Sequence, residues 1–471
     1  MRIHLSAIQI ASLAFVLSVL LASSTEARAA QEQARSADTF VESIGICTHW
    51  TYGDTPYGFA YTDIKQKLLD SGIRHIRDGF GPRLVELGRL GVKATVLADM
   101  DNGEDGTPVT IQRVLQHIKD LNAQGAVIDS IEGPNEPDLF WVSFKKSYQG
   151  QGYLQGDKGI IAGVIAFQKD LYRAVKADSA TAKIPVFGPA LGKTYGYDSR
   201  SPLGKGTLTD AVDFGNFHPY CGGNPFSVPF AYGTIAKYYW QGNFPSANLD
   251  EFPFALDVYS PPYAPRPMVA TETGYSTDLG GVSEAAHAKY MPRLFCEYFR
   301  KGIARAYSYE FVDEFEDKAQ TNREAHFGLL HRDGTLKPAY TAVKNLIAVL
   351  QEKSVPAGFK PQSLDYSLQV SPMPGWDRTQ YVHHLLLQKS TGDFYLVLWH
   401  EVSAEDTKET PYRQIHPPTM PVTLTLSPTI RAATLYLPND SARGRSLPIA
   451  NHVLNLQVPD SVLILKLSGS K

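Results

Sequence analysis

Hydrophobic and polar positions along the first three-quarters of the chain alternate between two periods. Short apolar runs bounded by Gly, Pro or Asn read as buried strands, and apolar residues three and four apart read as amphipathic helices. Residues 41–47 form the first run. Residues 61–71 follow, with Ile64, Leu68 and Leu69 at helical spacing and Gly72 as the stop. Residues 73–77 predict a second strand, 82–90 a short helix and 92–97 a third strand. A helix over 110–122 carries Ile111, Val114, Leu115, Ile118 and Leu121 on one face. The fourth run starts at Ala126 and ends inside Ile131-Glu132-Gly133-Pro134-Asn135-Glu136-Pro137-Asp138, with a long helix over 160–176 behind it. Residues 184–188, 212–220 and 267–274 predict strands five to seven, 284–300 a helix, 303–311 strand eight and 339–351 a closing helix. Eight strand–helix units in series predict a parallel sheet, and right-handed crossovers close it into an α/β fold, a (β/α)8 TIM barrel over residues 40–352.

Past residue 356 the helical period disappears. Residues 381–388 and 394–400 flank the turn Lys389-Ser390-Thr391-Gly392-Asp393, and 422–426, 433–437 and 462–467 alternate. Short strands without helices predict a C-terminal all-β sandwich over 356–471. At the other end, Arg2, the apolar stretch 7–22 and the small residues of Ala27-Arg28-Ala29 read as a signal peptide, residues 1–29. A secreted or periplasmic protein is expected, with no membrane contact after cleavage. Residues 31–39 are polar and read as a flexible tether.

Charge and cysteine content narrow the picture a little. Lys and Arg number 45 against 48 Asp and Glu, so no basic surface for nucleic acid is indicated. The 25 Tyr and 22 Phe suit either large self-packed loops or rings that stack on a ligand. Cys47, Cys221 and Cys296 are an odd set without metal spacing. Cys47 and Cys221 both fall near strand ends; they either meet or stay as buried thiols.

Chemistry is expected at the strand tips, where a barrel carries it. Pro137 disfavours helix at Glu136 and predicts an extended residue there. Pro267-Met268-Val269-Ala270-Thr271-Glu272-Thr273-Gly274 sets a second glutamate at the tip of strand seven. Two such carboxyls supply the proton donor and nucleophile of glycoside hydrolysis; the plainer reading makes one or both salt-bridge partners. Arg74 and Arg77 lie three apart on strand two and face opposite sides, so one points inward. An inward Arg77 holds Glu272 ionised through charge-assisted hydrogen bonds.

Asn-Glu-Pro on strand four and Thr-Glu-Thr-Gly on strand seven resemble clan A of the retaining glycoside hydrolases, across the whole barrel by strand order. The resemblance implies that Glu136 is the general acid/base, held protonated, and that Glu272 is the ionised nucleophile. It implies that Asn135 grips the sugar 2-hydroxyl, and that His218 and Tyr220 line the site from strand six. His49 and Trp50, ending strand one, become sugar contacts. Glu310 ends strand eight, where the clan shows an aromatic platform; Tyr307, Tyr309 or Phe311 stand nearby as substitutes. For His218 the plain alternative is a satisfied core histidine.

Two aromatic loops, 139–157 and 221–266, are expected over the catalytic face. The acidic loop 99–106 fails the EF-hand register, since starting at Asp101 puts Gly at a ligand position. No metal or other cofactor is implied. The expected protein is a monomeric, exported retaining hydrolase of β-linked oligosaccharides, polysaccharides or glycosides. A transglycosidase on the same residues and a non-catalytic carbohydrate-binding barrel are the alternatives.

Overall fold

The computed structural model describes residues 30–193, 201–220, 259–374, 379–406 and 410–469. The expected signal peptide, Cys221 and most of the aromatic loop 221–266 lie outside the described residues.

Eight parallel strands form the barrel sheet: β1 (Ile44–Cys47), β2 (His75–Asp78), β3 (Lys93–Leu97), β4 (Ile128–Glu132), β5 (Val186–Phe187), β6 (Gly215–Phe217), β7 (Met268–Thr273) and β8 (Ala306–Ser308). Their order is β5-β4-β3-β2-β1-β8-β7-β6, and a parallel bridge between Phe187 and Phe214 joins the two ends. The laddered segments are shorter than the apolar runs that announce them. In some runs leading apolar residues, such as Ile73 and Ile303, are buried in the core before the ladder begins.

The helices are α1 (Ala37–Glu42), α2 (Tyr61–Ser71), α3 (Arg83–Arg89), α4 (Pro108–Gln124), α5 (Pro137–Ser143), α6 (Gly156–Ala177), α7 (Glu284–Arg300) and α8 (Pro338–Leu350). Left-handed glycines, Gly72 after α2 and Gly125 after α4, end two of them at no steric cost. Two local readings are corrected. Residues 41 and 42, expected in strand one, belong to α1. Ser36 caps that helix by accepting from the Thr39 amide, and Phe40 and Val41 bury its inner face. The loop 139–157 is in part helix α5, with Trp141 and Tyr148 buried in the core.

The C-terminal strands are β9 (Ser363–Val370), β10 (Val382–Gln388), β11 (Phe394–His400), β12 (Met420–Leu426), β13 (Ile430–Leu437), β14 (Ser441–Leu447), β15 (Val453–Val458) and β16 (Leu463–Gly469). They make two antiparallel-rich sheets whose inner faces share one apolar cluster. The expected tether is instead part of this domain. Ala30–Gln33 pairs antiparallel with β9, and Arg35–Ser36 runs parallel to β10. Polar residues suffice there because both segments are sheet edges, and Arg35 stacks its guanidinium 3.4 Å over Phe299. The sandwich meets the barrel along α7, where buried Arg293 donates to Glu401 at 3.0 Å and to the carbonyls of Val402 and Asp460.

Candidate active site

The tips of β2, β4, β6 and β7 carry a connected polar cluster at one end of the barrel. Arg77 is its hub. Its Nε and one terminal nitrogen clamp Glu132 at 2.6 and 3.0 Å, and it also donates to Asn135 Oδ1 at 2.7 Å and Glu272 Oε1 at 2.8 Å. Arg74, three residues earlier, faces the other way and pairs with Asp38 and Glu42, as strand alternation requires.

Glu272 ends β7 with its second oxygen accepting from the Tyr220 hydroxyl at 2.8 Å. Burial opposes its ionisation, but the charges of His218 and Arg77 hold its carboxyl below the usual range. His218 donates one ring nitrogen toward Glu136 Oε1 at 2.7 Å and sets the other 2.9 Å from the Thr271 hydroxyl. Burial disfavours its cation, yet Glu272, Glu132 and Glu136 together raise its pKa to about 10. A protonated His218 therefore spans the two glutamates. One ligand atom each of Glu136, His218 and Glu272 lie within 4.8 Å of one another.

Glu136 is not extended. It takes φ 40° and ψ 51°, caps α5 and donates its amide to Ala190 O at 2.9 Å. Pro137 does exclude helix at this residue, and the carbonyl beyond β5 selects the left-handed alternative. Such a conformation costs on the order of 1 kcal/mol for a side chain other than Gly. The carboxyl is held from behind by Gly192. A Cβ there would stand 2.8 Å from Glu136 Cδ and 2.4 Å from Leu139. Asp138 fixes this approach by accepting from the amides of Gly192 and Lys193.

Sequence reasoning passed over Glu132, Asn216 and Thr271. Glu132 is fully buried two positions after Ser130 on the inward face of β4. Burial alone would raise its pKa; Arg77 and His218 bring it down to about 2. Thr271 donates to it at 2.9 Å and Asn216 at 3.3 Å. The signal was present: a carboxylate at the end of an apolar strand, four residues before Glu136, demands a buried counter-charge.

Of the expected sugar contacts, Arg77, Asn135, His218 and Tyr220 gather around the two glutamates. Trp50 and Glu310 do not face a ligand. Trp50 is 2% exposed and packs edge-on against Tyr57 and Tyr61, because apolar residues of α2 and its neighbours offer its ring a core site. Glu310 is 0% exposed, behind the wall formed by His49 and Tyr309. His49 stacks on Tyr52 with centroids 4.6 Å apart and turns Nδ1 inward to Glu314 at 2.5 Å. Among the aromatic substitutes, Tyr307 and Phe311 are buried, while Tyr309 is partly exposed and packs on Phe327, the ring that meets Tyr220.

Two side-chain groups among the described residues have metal-ligand composition, Glu136/His218/Glu272 and His49/Glu310/Glu314. In the first, both ring nitrogens of His218 and both oxygens of Glu272 are engaged, and Arg77 already supplies positive charge. That set suits proton transfer and nucleophilic attack better than metal ligation. Cys47, at the tip of β1, is a free buried thiol that donates to Thr271 O at 3.3 Å.

No protein-family model matches this sequence, and no curated protein matches it. Solved structures do. A family 39 glycoside hydrolase from the gut symbiont Bacteroides cellulosilyticus WH2 is 15% identical, with TM-score 0.51 over 91% of this chain and 82% of that one. The family 39 enzyme from Xanthomonas axonopodis pv. citri is 13% identical, with TM-score 0.54 over 96% and 100%. A family 30 endoxylanase from Clostridium papyrosolvens C71 is 13% identical, with TM-score 0.50 over 94% and 98%. At these identities the likeness establishes the fold: a TIM barrel followed by a β domain.

Proposed function

We propose that this chain is a retaining glycoside hydrolase of the clan A type, exported and acting on β-linked oligosaccharides, polysaccharides or glycosides. The observation that carries the reading is the charge arrangement around two glutamates with oxygens within 4.8 Å. An oxygen approach closer than 4.8 Å is compatible with the roughly 5–5.5 Å between retaining carboxyls and speaks against the roughly 6.5–9.5 Å gap that leaves room for water in inversion.

The roles follow from the partners. Glu272, held ionised by Arg77 and His218 and oriented by Tyr220, attacks the anomeric carbon. Glu136 receives the His218 N–H on Oε1, which leaves Oε2 to carry the proton to the departing oxygen. After departure, the same Glu136 oxygen activates water to release the covalent glycosyl-enzyme. Asn135, oriented by Arg77, turns its amide toward the 2-hydroxyl. Tyr309 offers an aromatic edge at the mouth.

The test is a panel of aryl β-glycosides and polysaccharides with product sizing, followed by azide rescue of two variants. Glu272→Ala should yield an azide of inverted configuration. Glu136→Ala should consume a dinitrophenyl glycoside rapidly, stall, and yield an azide of retained configuration. Exchanged stereochemistry would swap the roles, and no turnover on any substrate would favour a carbohydrate-binding barrel.

A further inference from the structure

Behind the active-site wall, the loops after β1 and β8 bring three side chains together outside the proposed chemistry. His49 Nδ1 lies 2.5 Å from Glu314 Oε1 and 3.4 Å from Glu310 Oε2, and one ligand atom from each of the three falls within 4.8 Å of the others. The Glu310 and Glu314 side chains are 0% and 1% exposed, while that of His49 keeps 20%. Apart from the long 3.4 Å contact of Oε2 with His49, neither Glu310 oxygen meets a donor among the described residues, although its carboxyl points into this cluster. A buried carboxylate left this way costs several kcal/mol unless a proton or a cation joins it.

Nearby charges do not meet the demand. Lys337 is committed to Asp313 at 2.8 Å. Asp78 is satisfied by Thr48 and the amides of Trp50 and Gly79, and it adds negative charge. The buried Tyr57 ring stands 6.1 Å from that of His49 and brings no charge to the cluster. Even with His49 protonated, two carboxylates face one imidazolium.

We propose that His49, Glu310 and Glu314 bind one divalent first-row cation, Zn2+ or Mn2+, that ties the β1 loop to the β8 loop behind the active site. One imidazole nitrogen and two carboxylates form a mixed nitrogen–oxygen set suited to these ions. Ca2+ is disfavoured, because it takes six to eight oxygens and the two buried carboxylates supply at most four. The 3.4 Å His49–Glu310 spacing already matches neighbouring ligands on a tetrahedral ion, roughly 3.3 Å apart for bonds of about 2.0 Å. The His49–Glu314 contact must open by less than 1 Å on that comparison, as the proton between them leaves. The exposed edge of His49 provides the access route. Binding expels protons from the cluster, so affinity should fall as pH is lowered.

The experiment uses the full mature chain, stripped with EDTA and desalted. Unfolding temperature is read with excess Zn2+, Mn2+ or Ca2+, and retained metal is counted after a second desalting. Zn2+ or Mn2+ should raise the midpoint by about 2 °C or more and remain at one ion per chain, whereas Ca2+ should do neither. Glu310→Gln and Glu314→Gln should each abolish retention while unfolding cooperatively without metal. Glu136→Gln should keep it, separating this site from the catalytic glutamates. No retained Zn2+ or Mn2+ in the wild type, retention unchanged in Glu310→Gln, or retention lost only in Glu136→Gln would each overturn the proposal. The measurement does not involve turnover, so its outcome is independent of the glycosidase reading.

Discussion

The barrel mouth holds two buried carboxylate clusters that handle charge in opposite ways. Around Glu132 and Glu272, cations are built in: Arg77 touches both, His218 approaches both, and Asn216, Thr271 and Tyr220 donate to the remaining lone pairs. Around Glu310 and Glu314 one partly exposed histidine faces two carboxyls, and among the described residues Glu310 meets only that histidine, at 3.4 Å. The pKa directions follow. Glu132 is drawn down to about 2 despite burial, whereas burial and the neighbouring Glu314 push Glu310 well above its ordinary value. Equal burial thus gives a fixed anion in one place and a group awaiting a proton or a cation in the other. The first suits chemistry that needs a permanently ionised nucleophile, and the second suits a site filled from outside.

Breaking the first cluster should cost most. Glu272→Ala should lower kcat/KM by at least about three orders of magnitude, about 4 kcal/mol of transition-state stabilisation, whereas Glu314→Gln should leave turnover within roughly tenfold. Steady-state kinetics on the best aryl glycoside check both. Arg77→Ala leaves Glu132 buried without its cation and should destabilise the protein by about 3–5 kcal/mol, read from the denaturant midpoint. Gly192→Ala should push the Glu136 carboxyl aside. A displacement of about 1 Å predicts up to a hundredfold loss in kcat with little change in unfolding temperature.

The smallest effect is also the sharpest test of the contrast. Glu310→Gln in metal-free protein should change stability at neutral pH by about 1 kcal/mol or less, and toward greater stability. The signs with pH are opposite for the two acids. Glu132 has a depressed folded pKa, so its contribution is present above the unfolded value near 4.5 and is lost as pH falls toward 2. Glu310 has a raised one, so its contribution is complete below 4.5 and is lost as pH rises through the folded value. Glu132→Gln should therefore flatten the acid limb of a stability–pH curve, and Glu310→Gln the alkaline decline. Identical curves for the two variants would erase the distinction.

Much of this could be read before the fold was known. The barrel was legible because each unit writes its period locally: helices such as α2 and α7 match their predicted bounds. That Glu136 and Glu272 would lie at one end of the barrel was legible because Pro137 and Gly274 close the segments that hold them, and Arg77 because strand alternation left it or Arg74 facing inward. The reading of Trp50 failed because the end of a strand looks the same whether its ring turns to solvent or under a neighbouring helix. Residues 31–39 misled for a similar reason. Their polarity signals exposure, and an exposed sheet edge is as polar as a tether.

By itself, the sequence determined what depends on neighbours a few residues away: the order of strands and helices and the change from a barrel to an all-β domain. The tertiary structure decided what depends on partners far along the chain. Ala30–Gln33 found its place against β9, more than three hundred residues on. Glu136 took a left-handed turn because the Ala190 carbonyl reached it from β5. Above all, Glu132 and Glu310 look alike in the sequence, each a carboxylate beside an apolar strand. Only the fold set Arg77 against one and a single histidine against the other, because electrostatic partnership is a matter of distance in space, and sequence separation does not fix that distance.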